Sequence, residues 1–108
     1  MNRIYSIDEI ENKTKSVFQR NTINKAYLFG SYAYGNPNSE SDVDIALDTG
    51  GNISFLRVCG VMEEIAQILD KPVDVFDLRE IEADSEIMKE IIRRGVLLYE
   101  ARQQADYR

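Results

Sequence analysis

The chain is expected to form a single α/β (α+β) domain, a small mixed sheet flanked by helices. Three features lead there. Four short apolar runs, KAYLF, VDIAL, VDVFDL and VLLY, have strand length and composition. Polar segments with helical apolar spacing separate them. The 108 residues suit one domain that buries roughly 65% of its unfolded surface. We therefore take residues 1–108 as one domain, with a polar tail at about 101–108. Helices are expected to cover one face of the sheet.

Each element has its own signal. Ser6-Ile7-Asp8-Glu9 has the form of a capping box, and Ile7, Ile10 and Val17 share a helical face, so a helix is placed at about 6–19. Lys25–Phe29 is a strand ended by Gly30. Ser31–Gly35 has room for a short helical turn, and Asn36-Pro37-Asn38-Ser39 is turn chemistry. In the next strand, Val43, Ile45 and Leu47 alternate with Asp42, Asp44, Ala46 and Asp48. Ser54 caps a helix of about 54–70 with an apolar stripe Phe55, Val58, Met62, Ile65 and Leu69, expected to be core. Lys71-Pro72 ends it. Val73–Leu78 is a third strand. Ser85 opens a helix carrying Ile87, Met88, Ile91 and Ile92, with Gly95 as its cap, and Val96–Tyr99 is the last strand.

Composition removes several function classes. The net charge is −6, which disfavours direct nucleic-acid binding. With one cysteine and no histidine, the chain offers neither a disulfide nor a Cys/His zinc site, and no Ser-His-Asp triad. Chemistry must rest on carboxylates, hydroxyls and cations. The start, MNRIYSIDEIENK, is polar and acidic, unlike a signal peptide, and no apolar run approaches the roughly 18 residues of a membrane span. A cytoplasmic protein without membrane contact is expected.

The stretch LFGSYAYGNPNSESDVDIALD, Leu28–Asp48, concentrates what chemistry remains. Asp42 and Asp44 stand two apart on a strand, so their carboxylates share a face. Paired anions of this kind suit Mg²⁺, which takes oxygen ligands and commonly substrate phosphates. Asp74, an acid inside the apolar run VDVF, is the best third carboxylate. The Gly30-Ser31 turn can bring backbone N–H groups and a hydroxyl to an anion. Taken singly, Asp-x-Asp reads as a solvated sheet face and Gly-Ser as an ordinary turn. Together they imply a metal–nucleoside triphosphate site.

Gly30-Ser31, Gly35 and Ser41-Asp42-Val43-Asp44 resemble the Gly-Ser…Gly…Ser-Asp-x-Asp signature of the polymerase-β-like nucleotidyltransferases. The short chain and the strand with Asp74 look like the minimal nucleotidyltransferase (MNT) subgroup, the MntA-like antitoxins, over about residues 24–99. The resemblance implies catalytic and metal-ligating roles for Asp42, Asp44 and Asp74 with two Mg²⁺ ions. It implies ATP as substrate, its β- and γ-phosphates held by Gly30 and Ser31, with Ser41 bracing the Asp42 turn. The implied reaction transfers AMP to a hydroxyl, most naturally a tyrosine of a HEPN-domain ribonuclease toxin, since so small a domain needs a partner to supply the acceptor. Two alternatives stand beside it: a non-catalytic antitoxin acting by binding, and a small-molecule, aminoglycoside-type nucleotidyltransferase. One departure is visible. Many relatives read Gly-Ser-x-Ala-Arg-Gly, and here Tyr34 replaces the arginine, a residue that could stack on adenine or pack. Asp48 and Asp77 are expected in solvent and at the surface, Cys59 in packing, and Arg93 and Arg94 at a helix C-terminus favoured by its dipole.

Overall fold

A computed structural model describes residues 3–102. The chain runs α1 (Ile7–Arg20), β1 (Lys25–Phe29), α2 (Ser31–Tyr34), β2 (Val43–Asp48), α3 (Phe55–Leu69), β3 (Val73–Asp77), a 3-10 turn (Leu78–Glu80), α4 (Glu86–Arg94) and β4 (Val96–Glu100). Residues 103–108 of the expected polar tail lie outside the described residues. Ala101 donates its N–H to the Asn24 carbonyl at 2.8 Å.

Local chemistry explains the boundaries. Ser6 and Glu9 form the reciprocal capping box of α1: the Glu9 N–H donates to Ser6 Oγ at 3.0 Å, and the Ser6 N–H donates to Glu9 Oε1 at 2.8 Å. Ser54 and Ser85 cap α3 and α4 through their hydroxyls. Asp70, at φ +55°, closes α3 in the left-handed conformation before Pro72 is reached. Gly95 closes α4 with an extended backbone, not a left-handed one. A side chain there would collide with the Ile91 carbonyl, which is what calls for glycine.

The four strands form one mixed sheet in the order β3-β2-β1-β4. β1 pairs antiparallel with both β2 and β4. β2 and β3 are parallel, and α3 supplies the crossover that a parallel pair requires. Side-chain alternation then assigns two faces. Ala26, Leu28, Val43, Ile45, Leu47 and Val73 point into the main core, where α1 contributes Ile10, Val17 and Phe18, and α3 contributes Val58, Val61, Ile65 and Leu69.

The expectation of helices on one face needs correction. α4 packs across β1 on the other side, where Ile91, Phe29 and Ala46 form a second, smaller core. Phe29 and Phe76 extend it with ring centroids 5.7 Å apart. The strand residues facing α4 are apolar at Phe29, Ala46 and Phe76, so leaving that face open would expose them. The α3 stripe is also shifted. Phe55 is 75% exposed and Val61 is fully buried, because the first turn of α3 overhangs the sheet. Ile92 of α4 is likewise exposed.

Ile45 sits at the centre of β2 with no solvent exposure. Ile45→Ala is expected to destabilise the fold by about 2–5 kcal/mol through lost burial and the cavity left behind. Chemical denaturation reads that value directly.

Candidate active site

The sheet parity places Asp44 and Asp74 on the α4 side. They are direct partners in the parallel β2–β3 register, so their side chains emerge next to each other. Phe29 is the cross-strand partner of Asp44 on the other flank, which sets the end of β1, and hence Gly30, beside the same carboxylate. Asp42 immediately precedes β2 and is exposed, as is Asp74. Asp44 is half-buried between them.

Electrostatics report how close these acids are. Burial pushes the Asp44 carboxyl up from its ordinary 3.8 to about 6, and the charges of Asp74, Asp42 and Glu90 push in the same direction. Glu90, from α4, was not among the residues singled out from the sequence. Nothing in a helical Glu distinguishes it from a solvated one until α4 is packed over β1. Among the described residues, no three carboxylates are already gathered as metal ligands. The donor set nonetheless suits a hard divalent cation: it is made only of carboxylate oxygens, and like charges crowd around a half-buried member.

Gly30 has φ +77° and ψ −158°, a region reserved for glycine. A Cβ there would meet Asp44 Oδ2. The backbone between β1 and α2 therefore passes directly against the carboxylate cluster, and only glycine permits the approach. The N–H groups of Ala33 and Tyr34 donate to the Gly30 carbonyl at 3.0 and 3.1 Å. Those of Ser31 and Tyr32, one step earlier, belong to the turn for which helix geometry supplies no acceptor.

Two bracing contacts hold this loop. The Ser41 hydroxyl accepts from the Asn38 N–H at 2.9 Å, and the Ser41 N–H donates to the Asn38 carbonyl at 3.0 Å, closing the turn that delivers Asp42. Lys71, almost fully buried, donates from Nζ to the Tyr32 hydroxyl at 3.0 Å and to the Ser41 carbonyl at 3.1 Å. It ties α2, the Asp42 turn and the start of β3 together. In the sequence Lys71 is only a residue beside the helix-ending proline.

The remaining acids separate from the site. Asp48 lies opposite Lys25 at the far end of β2, where its Oδ1 accepts from the Gly50 N–H at 3.1 Å. Asp77 is buried, contrary to its expected surface place. Its carboxylate accepts from Thr49 Oγ1 at 3.2 Å and from the Arg79 N–H at 3.0 Å, capping the 3-10 turn. Arg94 leaves its expected helix-end role: its guanidinium lies over the Tyr34 ring, 4.6 Å from the centroid. Cys59 is partly buried on α3.

Comparison with known proteins agrees with this geometry. The family described as Polymerase beta, Nucleotidyltransferase matches residues 12–104. A Methanocaldococcus jannaschii chain that carries the name of a protein adenylyltransferase is 32% identical over 76 residues, spanning 70% of this chain and 82% of that one. The protein adenylyltransferase MntA of Shewanella oneidensis is 31% identical over 77 residues, which cover 71% of this chain and 54% of MntA. Among solved structures, a toxin–antitoxin crystallised with AMP-PNP superposes with a TM-score of 0.74 at 28% identity, covering 84% of this chain and 73% of that one. The complex of a tri-AMPylated Shewanella oneidensis HEPN toxin with an MNT antitoxin superposes with a TM-score of 0.69 at 25% identity, covering 88% and 73%.

Proposed function

This chain belongs to the polymerase-β nucleotidyltransferase family, and from that premise we propose that it transfers AMP from ATP to a tyrosine hydroxyl of a HEPN-domain ribonuclease toxin, acting as that toxin's antitoxin. The observation that carries the reading is the meeting of Asp44, its neighbours Asp42 and Asp74, and the Gly30 backbone at one end of β2. Carboxylates and a close-approach glycine are what a metal-bound triphosphate requires on its two sides.

In this reading Asp42, Asp44 and Asp74 would hold Mg²⁺. When bound, magnesium supplies Lewis-acid stabilisation of the attacking and leaving oxygens. Gly30 and Ser31 present backbone N–H groups and a hydroxyl to the phosphates. Ser41 and Lys71 hold the Asp42 turn in register with α2. Asp74, exposed on the edge strand β3, is the carboxylate best placed to accept the proton of an incoming hydroxyl. The tyrosine oxygen attacks the α-phosphorus, the bond to the β-phosphate oxygen breaks, and pyrophosphate leaves. The protein contributes mainly by positioning. The site is shallow and built from strand ends, so the acceptor must be presented by a partner surface. We take the protein to work in the cytoplasm; among the described residues no helix is long and apolar enough to cross a membrane.

The test is label transfer from α-labelled ATP with Mg²⁺, using the co-purified HEPN partner as acceptor and Asp44→Ala as control. Label on a partner tyrosine, lost in the variant, is the expected result. An unlabelled partner that is still silenced by a tight complex would make this a binding antitoxin. Label on an aminoglycoside instead would make it a small-molecule enzyme.

A further inference from the structure

The segment Leu28–Asp48, which carries Gly30, Ser31, Asp42 and Asp44, contains no lysine, arginine or histidine. A triphosphate bound there would face carboxylates with no counter-charge from its own loop. The structure brings two cations to α2 from elsewhere, one on each of its tyrosines. Lys71 is buried against Tyr32, its Nζ committed to the Tyr32 hydroxyl and the Ser41 carbonyl. Arg94 lies over Tyr34 at the surface.

Arg94 is the one placed to meet a ligand. Tyr34 is 41% exposed and stands at the last residue of the helix that begins after Gly30. Glu90, one turn before Arg94 on α4, acts on both Asp44 and Tyr34, so this stretch of α4 spans the distance between the carboxylate cluster and the tyrosine. A cleft of about 160 Å³ lies here, lined by Tyr34, Glu86, Lys89, Glu90, Arg93 and Arg94. It is smaller than the roughly 300–1,000 Å³ of sites that enclose a whole ligand, so it takes part of one. Three of its six lining residues are basic, on a protein of net charge −6. The tyrosine ring fixes a guanidinium by cation–π contact while its N–H groups stay available to an anion.

We propose that Arg94, seated on Tyr34, is the positioning residue that receives the β,γ-phosphates of the nucleotide, a cation contributed by α4 to a loop that has none. The proposal rests on the nucleotidyltransferase reading and names how this chain completes that site. Glu90 holds the guanidinium side of the cleft in balance until the phosphates arrive, and Tyr34 is a platform for Arg94, not for the base.

Calorimetric titration with Mg²⁺–AMP-PNP and with AMP tests it on the intact protein. Arg94→Ala should weaken AMP-PNP binding about tenfold and AMP binding less than about twofold, because a charge-assisted phosphate contact is lost and nothing else. Tyr34→Phe should keep wild-type affinity, and Tyr34→Leu should fall between. The double variant Tyr34→Arg/Arg94→Ala, which moves the cation into the loop, should regain affinity for AMP-PNP. Arg94→Met, which preserves the aliphatic stem over the ring, serves if the alanine variant melts early. Equal loss for both nucleotides, or unchanged affinity for both, overturns the role of Arg94 while leaving the nucleotidyltransferase reading intact. Wild-type protein that binds neither nucleotide overturns both.

Discussion

Asp44→Asn is expected to abolish AMP transfer while making the ligand-free protein more stable at neutral pH. Both effects have one cause. Asp44 is half-buried beside Asp74, Asp42 and Glu90, and its carboxyl is pushed up from 3.8 to about 6. The folded state therefore holds the Asp44 proton more tightly than the unfolded chain does. The stability this confers is fully present below pH 3.8 and is lost as the pH rises through about 6. Above that pH the ionised carboxylate weighs against folding unless a cation joins it. Fully expressed, a rise of this size corresponds to about 3 kcal/mol. Solvent screening of a half-buried group brings the expected gain for the asparagine variant to about 1–2 kcal/mol. Thermal melts with chelator present should show the variant above wild type at pH 7.5 and level with it at pH 3.5. Equal melting at both pH values would contradict the carboxylate cluster. Transfer should fall by more than about a hundredfold, since even groups that merely orient metal ligands are worth 10- to 100-fold.

Gly30→Ala should produce a folded protein that no longer binds Mg²⁺–ATP. Residue 30 sits at φ +77°, where an L-residue costs about 1–3 kcal/mol. The larger consequence is local. The new methyl group would occupy the place of Asp44 Oδ2. A carboxylate can rotate away more easily than a strand can move, so the fold survives and the site does not. The expected signature is a modest drop in melting temperature together with loss of detectable AMP-PNP binding. Retained affinity would show that the backbone at Gly30 does not lie against the nucleotide. The contrast with Ile45→Ala is informative: that change weakens the core on the opposite face of β2 and should leave nucleotide affinity in the surviving folded protein unchanged.

Much of the site is visible in the chain because it depends on period-two alternation. Asp42 and Asp44 must share a face once Val43, Ile45 and Leu47 are buried, and Gly30 and Ser31 must follow the strand end. Asp74 stands out as an acid within an apolar strand. The parallel register that seats it beside Asp44 is non-local and carries no local mark. Glu90, Lys71 and Arg94 are silent in the sequence for the same reason. Each is an ordinary charged residue on or beside a helix, and its role depends on which strand that helix crosses. Asp77 was misplaced because alternation assigns a face but not the depth of the loop packed over it; Thr49 and the 3-10 turn close above that carboxylate.

The sequence by itself determined the order of elements, their caps, the apolar face of each strand, and the pairing of a glycine-serine turn with an acidic strand. These follow from local sterics, hydrogen bonding of chain ends and the burial of apolar side chains, all of which act within a few residues. Only the tertiary structure decided that α4 covers the second face of the sheet, that Asp74 lies against Asp44, and that Arg94 comes to rest on Tyr34. Those contacts join residues from 30 to 60 positions apart, and they exist because the β3-β2-β1-β4 order brings β3 and α4 to the same end of β2.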